Sequence, residues 1–269
     1  LALVWPGFLS GAVLALLLMQ KGAGYAAAMA GMAAALLAGI SAIVGLAIPA
    51  SLANAASIWV PVALLTAILM RSRSLALTLQ LAFVLTIAGL LLFHAVVDDP
   101  IAFWRSQLGA VVEAMRAQGN HEQAALFEND AVIGNMTMVS ALVVFCITVI
   151  GTVLGYRLYR ALPGNEAVCG RFRDFGYGRV LALATALVSL VAWLSNIGPL
   201  QELAFVMFAM FWLQGLAIAH WSHGQGFLPT FGLAAVYVLA PLLNGILMIG
   251  LAITGYLDAW FGFRRQQAA

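Results

Sequence analysis

Uninterrupted apolar runs dominate this chain, and their length constrains its fold more than any other feature. About 18 or more consecutive apolar residues read as a transmembrane helix, because roughly 20 residues at 1.5 Å rise cross the hydrocarbon core. Backbone polar groups in lipid must be satisfied within the spanning structure, which leaves helices or closed barrels. The runs here are continuous rather than alternating, so helices are expected. Composition agrees: the 269 residues are 64% hydrophobic and 8% charged, whereas a soluble domain carries roughly a quarter charged residues. The expected fold is therefore all-α: a polytopic transmembrane bundle of about eight to nine spans forming a single domain over 1–269.

The spans read as 1–20, 23–47, 56–70, 74–97, 131–156, 180–197 and 203–221, with a last hydrophobic region at 227–262. The first run, "LALVWPGFLSGAVLALLLMQ", lacks a basic n-region and a clear cleavage site, so it reads as a span. The last region, as one helix, would measure about 50 Å. Pro241, Asn244 and Gly245 mark its natural break, so it is expected as a tight hairpin or a strongly kinked helix.

Charge supplies orientation. Ten of the twelve basic residues fall in four groups: Lys21; Arg71 with Arg73; five from Arg157 to Arg179; and Arg264 with Arg265. Basic residues are retained on the cytoplasmic side, so the basic loop 157–179, with its "GRFRDFGYGRV", is expected there. The terminal pair joins that face only if the last region crosses twice. Segment 98–130 falls opposite and holds six of the ten acids. Asp98 and Asp99 before Pro100 supply a capping acid and a first-turn proline. Ile101, Trp104, Leu108, Val111, Val112 and Met115 then follow on one helical face. "GN" at 119–120 is expected to stop this helix and cap another through "HEQAALFEND". The segment is thus expected as a folded, amphipathic extracytoplasmic insert lying on the membrane surface or capping the bundle.

Small residues mark close packing. Ala27, Gly31, Ala35 and Gly39 form a ridge at every fourth position, and Gly151 with Gly155 forms a GxxxG. Such faces let helix backbones approach closely, either within the chain or against a partner subunit. Polar residues at membrane depth must find partners and are the best functional pointers. Asn54, Gln80, Gln214 and Asn244 are the candidate ligand-binding amides, with helix-to-helix hydrogen bonding as the alternative. Asp258, six residues before Arg264, is expected to pair with an arginine of the basic loop, Arg173 or Arg179 first, with Arg171 nearby. "HWSH" (His220 to His223) has a spacing that could hold a metal, but no Cys or acid accompanies it. Neither a nucleophile–base pair nor a phosphate-cradling glycine loop is legible. No catalytic residue, metal or cofactor is assigned. Cys146 and Cys169 suggest no disulfide framework. The lipid bilayer is the implied partner, with another membrane subunit as a second, and no feature points to nucleic acid.

"NEAVCGRFRDFGYGRVLAL", "LQGLAIAHW" and "GYLDAWFGFRR" together resemble the YybS-like family of bacterial integral membrane proteins, a domain of unknown function. The residues carrying the likeness include Phe172, Arg173, Gly178, Arg179, Gln214, Gly215, His220, Asp258, Trp260 and Arg264. That family is distantly similar to the substrate-binding S components of energy-coupling-factor transporters. The resemblance implies a multi-pass protein of the bacterial cytoplasmic membrane that binds a small molecule and docks a coupling subunit. Two functional classes follow: a non-catalytic small-molecule-binding transporter component, or an accessory or scaffold subunit.

Overall fold

The computed structural model describes residues 4–164, 169–242 and 245–266, and it is all-helical. Four helices open the chain: α1 (Val4–Lys21), α2 (Ala23–Val44), α3 (Ile48–Ser72) and α4 (Leu75–Val96). The insert follows as α5 (Pro100–Ala117), α6 (His121–Leu126) and α7 (Asp130–Gly134). Then come α8 (Met136–Ala161), a 3-10 turn at Phe172–Asp174, α9 (Gly178–Ser195), α10 (Gly198–Ala209) and α11 (Trp212–Gly224). The chain closes with α12 (Thr230–Leu242), α13 (Ile246–Phe261) and α14 (Phe263–Gln266).

Six helices are long and apolar enough to cross a membrane, counting α10 and α11 together as one 27-residue span. Three more apolar helices are shorter: Gly7–Lys21, Thr230–Leu239 and Ile246–Phe261. Of the eight to nine expected spans, six have membrane length among the described residues. The start of the third span differs from expectation. The third span begins at Ile48 rather than 56, because Pro49 sits at the helix start, where its missing N–H costs nothing, and Pro61 is accommodated inside the helix. The last region is divided, as expected, into α12 and α13, with Gly245 in the left-handed region at φ 91°.

Three contacts place the basic segments at one end of the bundle. The Leu75 N–H donates to the Cys169 carbonyl at 2.6 Å, tying the α3–α4 turn to the 169–177 loop. Gly224, the last residue of α11, lies against the Arg173 side chain, whose Nη1 is 2.6 Å from where a Gly224 Cβ would be. Arg264 Nη1 donates to the Arg173 carbonyl at 2.9 Å. The ends of α11 and α13 therefore meet the same loop, so α12 and α13 leave and return as a hairpin.

The other end is built around the insert. Asp99 caps α5 by accepting from the Ala102 N–H at 2.9 Å, and Pro100 opens the helix. Gly119, at φ 81°, ends it. Asn120 stands at the N-cap of α6 without a side-chain cap bond. Val112, Ala124 and Ile133 are buried where α5 packs on α6 and α7. Ile101 and Val111 remain exposed, so the apolar face of α5 is only partly covered.

Three glycines bring helix backbones into close approach. A Cβ on Gly155 of α8 would lie 2.5 Å from the Ala15 Cβ of α1. A Cβ on Gly215 of α11 would lie 2.0 Å from the Leu251 carbonyl oxygen of α13, and one on Gly255 would lie 2.2 Å from that of Phe211. Gly151 continues the α8 face against Phe8 and Ala12 of α1. The Gly151–Gly155 motif is thus an internal packing surface, and dispersion contacts between backbones hold these helix pairs together.

Candidate functional site

Two features of the bundle carry chemistry: a buried polar network at the basic end and a cavity under the insert. The network grows from the loop "GRFRDFGYGRV". Its aromatic residues fold inward instead of facing water. Phe175 and Tyr177 are buried, and their rings meet edge-on at 4.8 Å between centroids. Tyr177 also packs edge-to-face on Phe83 of α4 and Phe211, at 4.9 and 5.1 Å.

Folding this loop into the bundle buries its backbone, so each N–H and C=O there needs a partner. Two amide side chains supply them. Gln80 Nε2 donates to the carbonyls of Gly176 and Tyr177 at 3.2 and 3.3 Å. Gln214 Oε1 accepts from the Tyr177 N–H at 2.8 Å, while its Nε2 donates to Asp258 Oδ2 at 2.8 Å. That same carboxylate oxygen accepts from Arg264 Nη2 at 2.7 Å and Nε at 3.2 Å. Asp258 Oδ1 and the Tyr177 hydroxyl are buried without a partner among the described residues. Burial pushes the Tyr177 phenol well above its ordinary pKa, with Cys146 adding to the shift, so it is neutral.

The pairing of Asp258 corrects the sequence expectation. Its partner is Arg264, on the turn that follows its own helix, and neither Arg173 nor Arg179 bonds it. Gly262, in the left-handed region at φ 64°, reverses the chain and folds Arg264 back onto α13. Arg173 contributes its carbonyl rather than its guanidinium. Arg171 pairs locally with Asp174 at 2.7 Å, and Arg179 is exposed with no ion pair among the described residues.

None of the three candidate amides among the described residues lines the cavity under the insert. Gln80 and Gln214 hold the loop. Asn54 is exposed on α3, and Asn244 lies outside the described residues. The ridge of Ala27, Gly31, Ala35 and Gly39 is exposed, with open space around both glycines. The two histidines of "HWSH" turn to different partners. His220 Nε2 meets the Tyr237 hydroxyl at 2.6 Å, and His223 Nδ1 meets the Leu228 carbonyl at 2.9 Å.

The cavity was not legible in the sequence. Its volume is about 380 Å³, and its walls are α3 (Pro61, Leu65), α4 (Ala82 to Phe93) and α8 (Thr137 to Thr148). Phe103 and Trp104 of the insert form its roof. There Phe93, Phe103 and Trp104 make an aromatic cluster, with Phe93 stacked on Trp104 at 6.1 Å and edge-on to Phe103 at 5.4 Å. Trp104 Nε1 donates to Thr137 Oγ1 at 2.8 Å, latching the roof to α8. Beside it, His94 Nε2 meets Glu202 Oε2 at 3.2 Å, joining α4 to α10. None of the lining residues is charged. Such a space, apolar with a few polar groups, has the character of a small-molecule pocket. The retrospective sequence signals are the hydroxyl residues Thr137, Ser140 and Thr148, facing the aromatic residues 93, 103 and 104 that flank "DDP".

No family model, curated protein or solved structure matches this chain.

Proposed function

We propose that this chain is a non-catalytic, multi-pass membrane protein that binds a small, uncharged, largely apolar molecule in the cavity beneath the insert. One observation carries the reading: an uncharged cavity of about 380 Å³ is bounded by three helices and roofed by a segment from outside the bundle. The volume lies within the range of known ligand pockets. A roof latched by a single hydrogen bond and an aromatic cluster can open without unfolding a span. The same reading is implied by the likeness to YybS-like proteins and S components, with the pocket taking the place of the four amides. Retention of basic residues on the cytoplasmic side supports a cytoplasmic basic end, with the insert outside. The bacterial cytoplasmic membrane follows from the resemblance.

Native mass spectrometry of the purified protein tests the reading. Wild type should retain a small-molecule adduct. Gly89→Phe should lose it, because Gly89 lines the cavity and has open space where its side chain would grow. An adduct of equal mass and abundance in both proteins would refute the pocket assignment. A second reading, a scaffold subunit, is favoured by one observation: the Ala27–Gly39 ridge is exposed on α2, which contacts only α1 and α3 extensively.

A further inference from the structure

The cavity's shape and hydroxyl groups say more about its occupant, on the premise that it is a ligand site. Its α8 wall runs from Thr137 to Thr148, a length of about 16 Å at 1.5 Å per residue. Spread over that length, 380 Å³ gives a mean cross-section of about 24 Å². The space is therefore long and narrow and lies along α8. Leu85 and Val144, on its edges, are exposed on the bundle surface, so the slot opens sideways towards lipid.

Its polar groups are unevenly committed. Thr86 and Thr148 donate their hydroxyl protons to carbonyls of their own helices, Ala82 at 2.9 Å and Val144 at 2.7 Å. Thr137 accepts from Trp104 and keeps its own proton to give. Ser140, one turn along the same face, has a hydroxyl with no hydrogen bond among the described residues. Both uncommitted hydroxyls lie at the roofed end. No charged residue lines the cavity among the described residues to balance an ionised head, and an unpaired charge in such surroundings is expensive.

We infer that the cavity takes a single-chain amphiphile with an uncharged hydroxyl or carbonyl head, entering from the bilayer between α4 and α8. The head bonds Ser140 and Thr137 beneath Trp104, and the hydrocarbon chain runs along α8 towards Thr148.

Trp104 stands at the head end and reports on it. The protein is placed in nanodiscs of unbrominated phosphatidylcholine and titrated with a long-chain alcohol brominated beside the hydroxyl. The readout is the fluorescence quenching present in wild type and absent from Trp104→Phe. Saturable quenching is expected, lost in Gly89→Phe and weakened roughly fivefold in Ser140→Ala, as for one hydrogen bond. The same alcohol brominated at its methyl end should quench Trp104 much less. Equal saturable binding of the matching brominated carboxylate would overturn the neutral head. Quenching only by a phosphatidylcholine brominated in its chains, without saturation, would mean that bulk lipid fills the slot and would also overturn the inference. In either case a Gly89-dependent adduct in the mass spectrum would leave the pocket assignment standing. Loss of both signals would remove the two together.

Discussion

Asp258 and Arg264, six residues apart, form a buried ion pair at 2.7 Å across the left-handed turn at Gly262. The pair is shared: Gln214 donates to the same carboxylate oxygen, and Arg264 reaches on to the carbonyl of Arg173. One carboxylate thus joins α11, the end of α13 and the basic loop. Asp258→Asn should destabilise the protein by about 3–5 kcal/mol, because it leaves a partly buried guanidinium uncompensated. Adding Arg264→Gln should cost far less than its separate effect, since the two residues share one interaction. Arg173→Gln should stay within about 0.5 kcal/mol, because its bond to Arg264 is made by the backbone carbonyl and its side chain only lies against Gly224. Detergent melting of the four variants measures this. Additive losses, or a large loss for Arg173→Gln, would contradict the network.

The two glutamines that hold the loop should differ in importance. Gln214→Leu strands the Tyr177 N–H in a buried setting and removes a donor from Asp258, so a loss of about 2–4 kcal/mol is expected. Gln80 only donates, to carbonyls of Gly176 and Tyr177 at its longer distances. Gln80→Leu should cost about 1 kcal/mol. The ranking, read from thermal midpoints, is the test.

Glycines of similar sequence appearance should separate into two classes. Gly215→Ala and Gly255→Ala push a methyl group into backbone on the facing helix, so both should lower stability severely or prevent folding. Gly31→Ala and Gly39→Ala meet open space and should be neutral or gain up to about 1 kcal/mol from helix propensity. If the ridge docks a partner, those same two variants would weaken assembly without lowering the melting temperature of the isolated chain. Pull-down and melting curves together decide.

The roof over the cavity depends on Trp104 and Thr137. Thr137→Val removes the acceptor and should cost about 1 kcal/mol locally. Hydrogen exchange should then quicken across 100–117 while protection in α4 and α8 is unchanged. Uniform loss of protection would show that the latch supports the whole bundle instead.

The proposed sidedness rests on the charge distribution and is open to direct measurement. With a membrane-impermeant maleimide applied to intact cells, Gln118→Cys should label and Ala161→Cys should label only after permeabilisation. The reverse pattern would invert the assignment.

The helical class and the separation of a basic end from an acidic insert were legible in the residues alone. Both rest on quantities that add along the chain: the apolar length needed to cross a hydrocarbon core and the count of charges in each connection. The start of α5 was equally local, because Asp99 and Pro100 act on the first turn beside them. Partner choice was not local. Asp258 could reach several arginines by sequence spacing, and only the turn at Gly262 brought Arg264 to it rather than Arg173 or Arg179. Gln80 and Gln214 looked alike as ligand candidates, and the inward fold of Phe175 and Tyr177 decided that they hold backbone instead. Gly155 and Gly31 carry the same residue type at the same kind of spacing, yet one meets a backbone and the other open space. The cavity is the extreme case, because an empty volume belongs to no residue. It lies between α3, α4 and α8 beneath Trp104, and helix positions relative to one another are set by packing across the whole bundle.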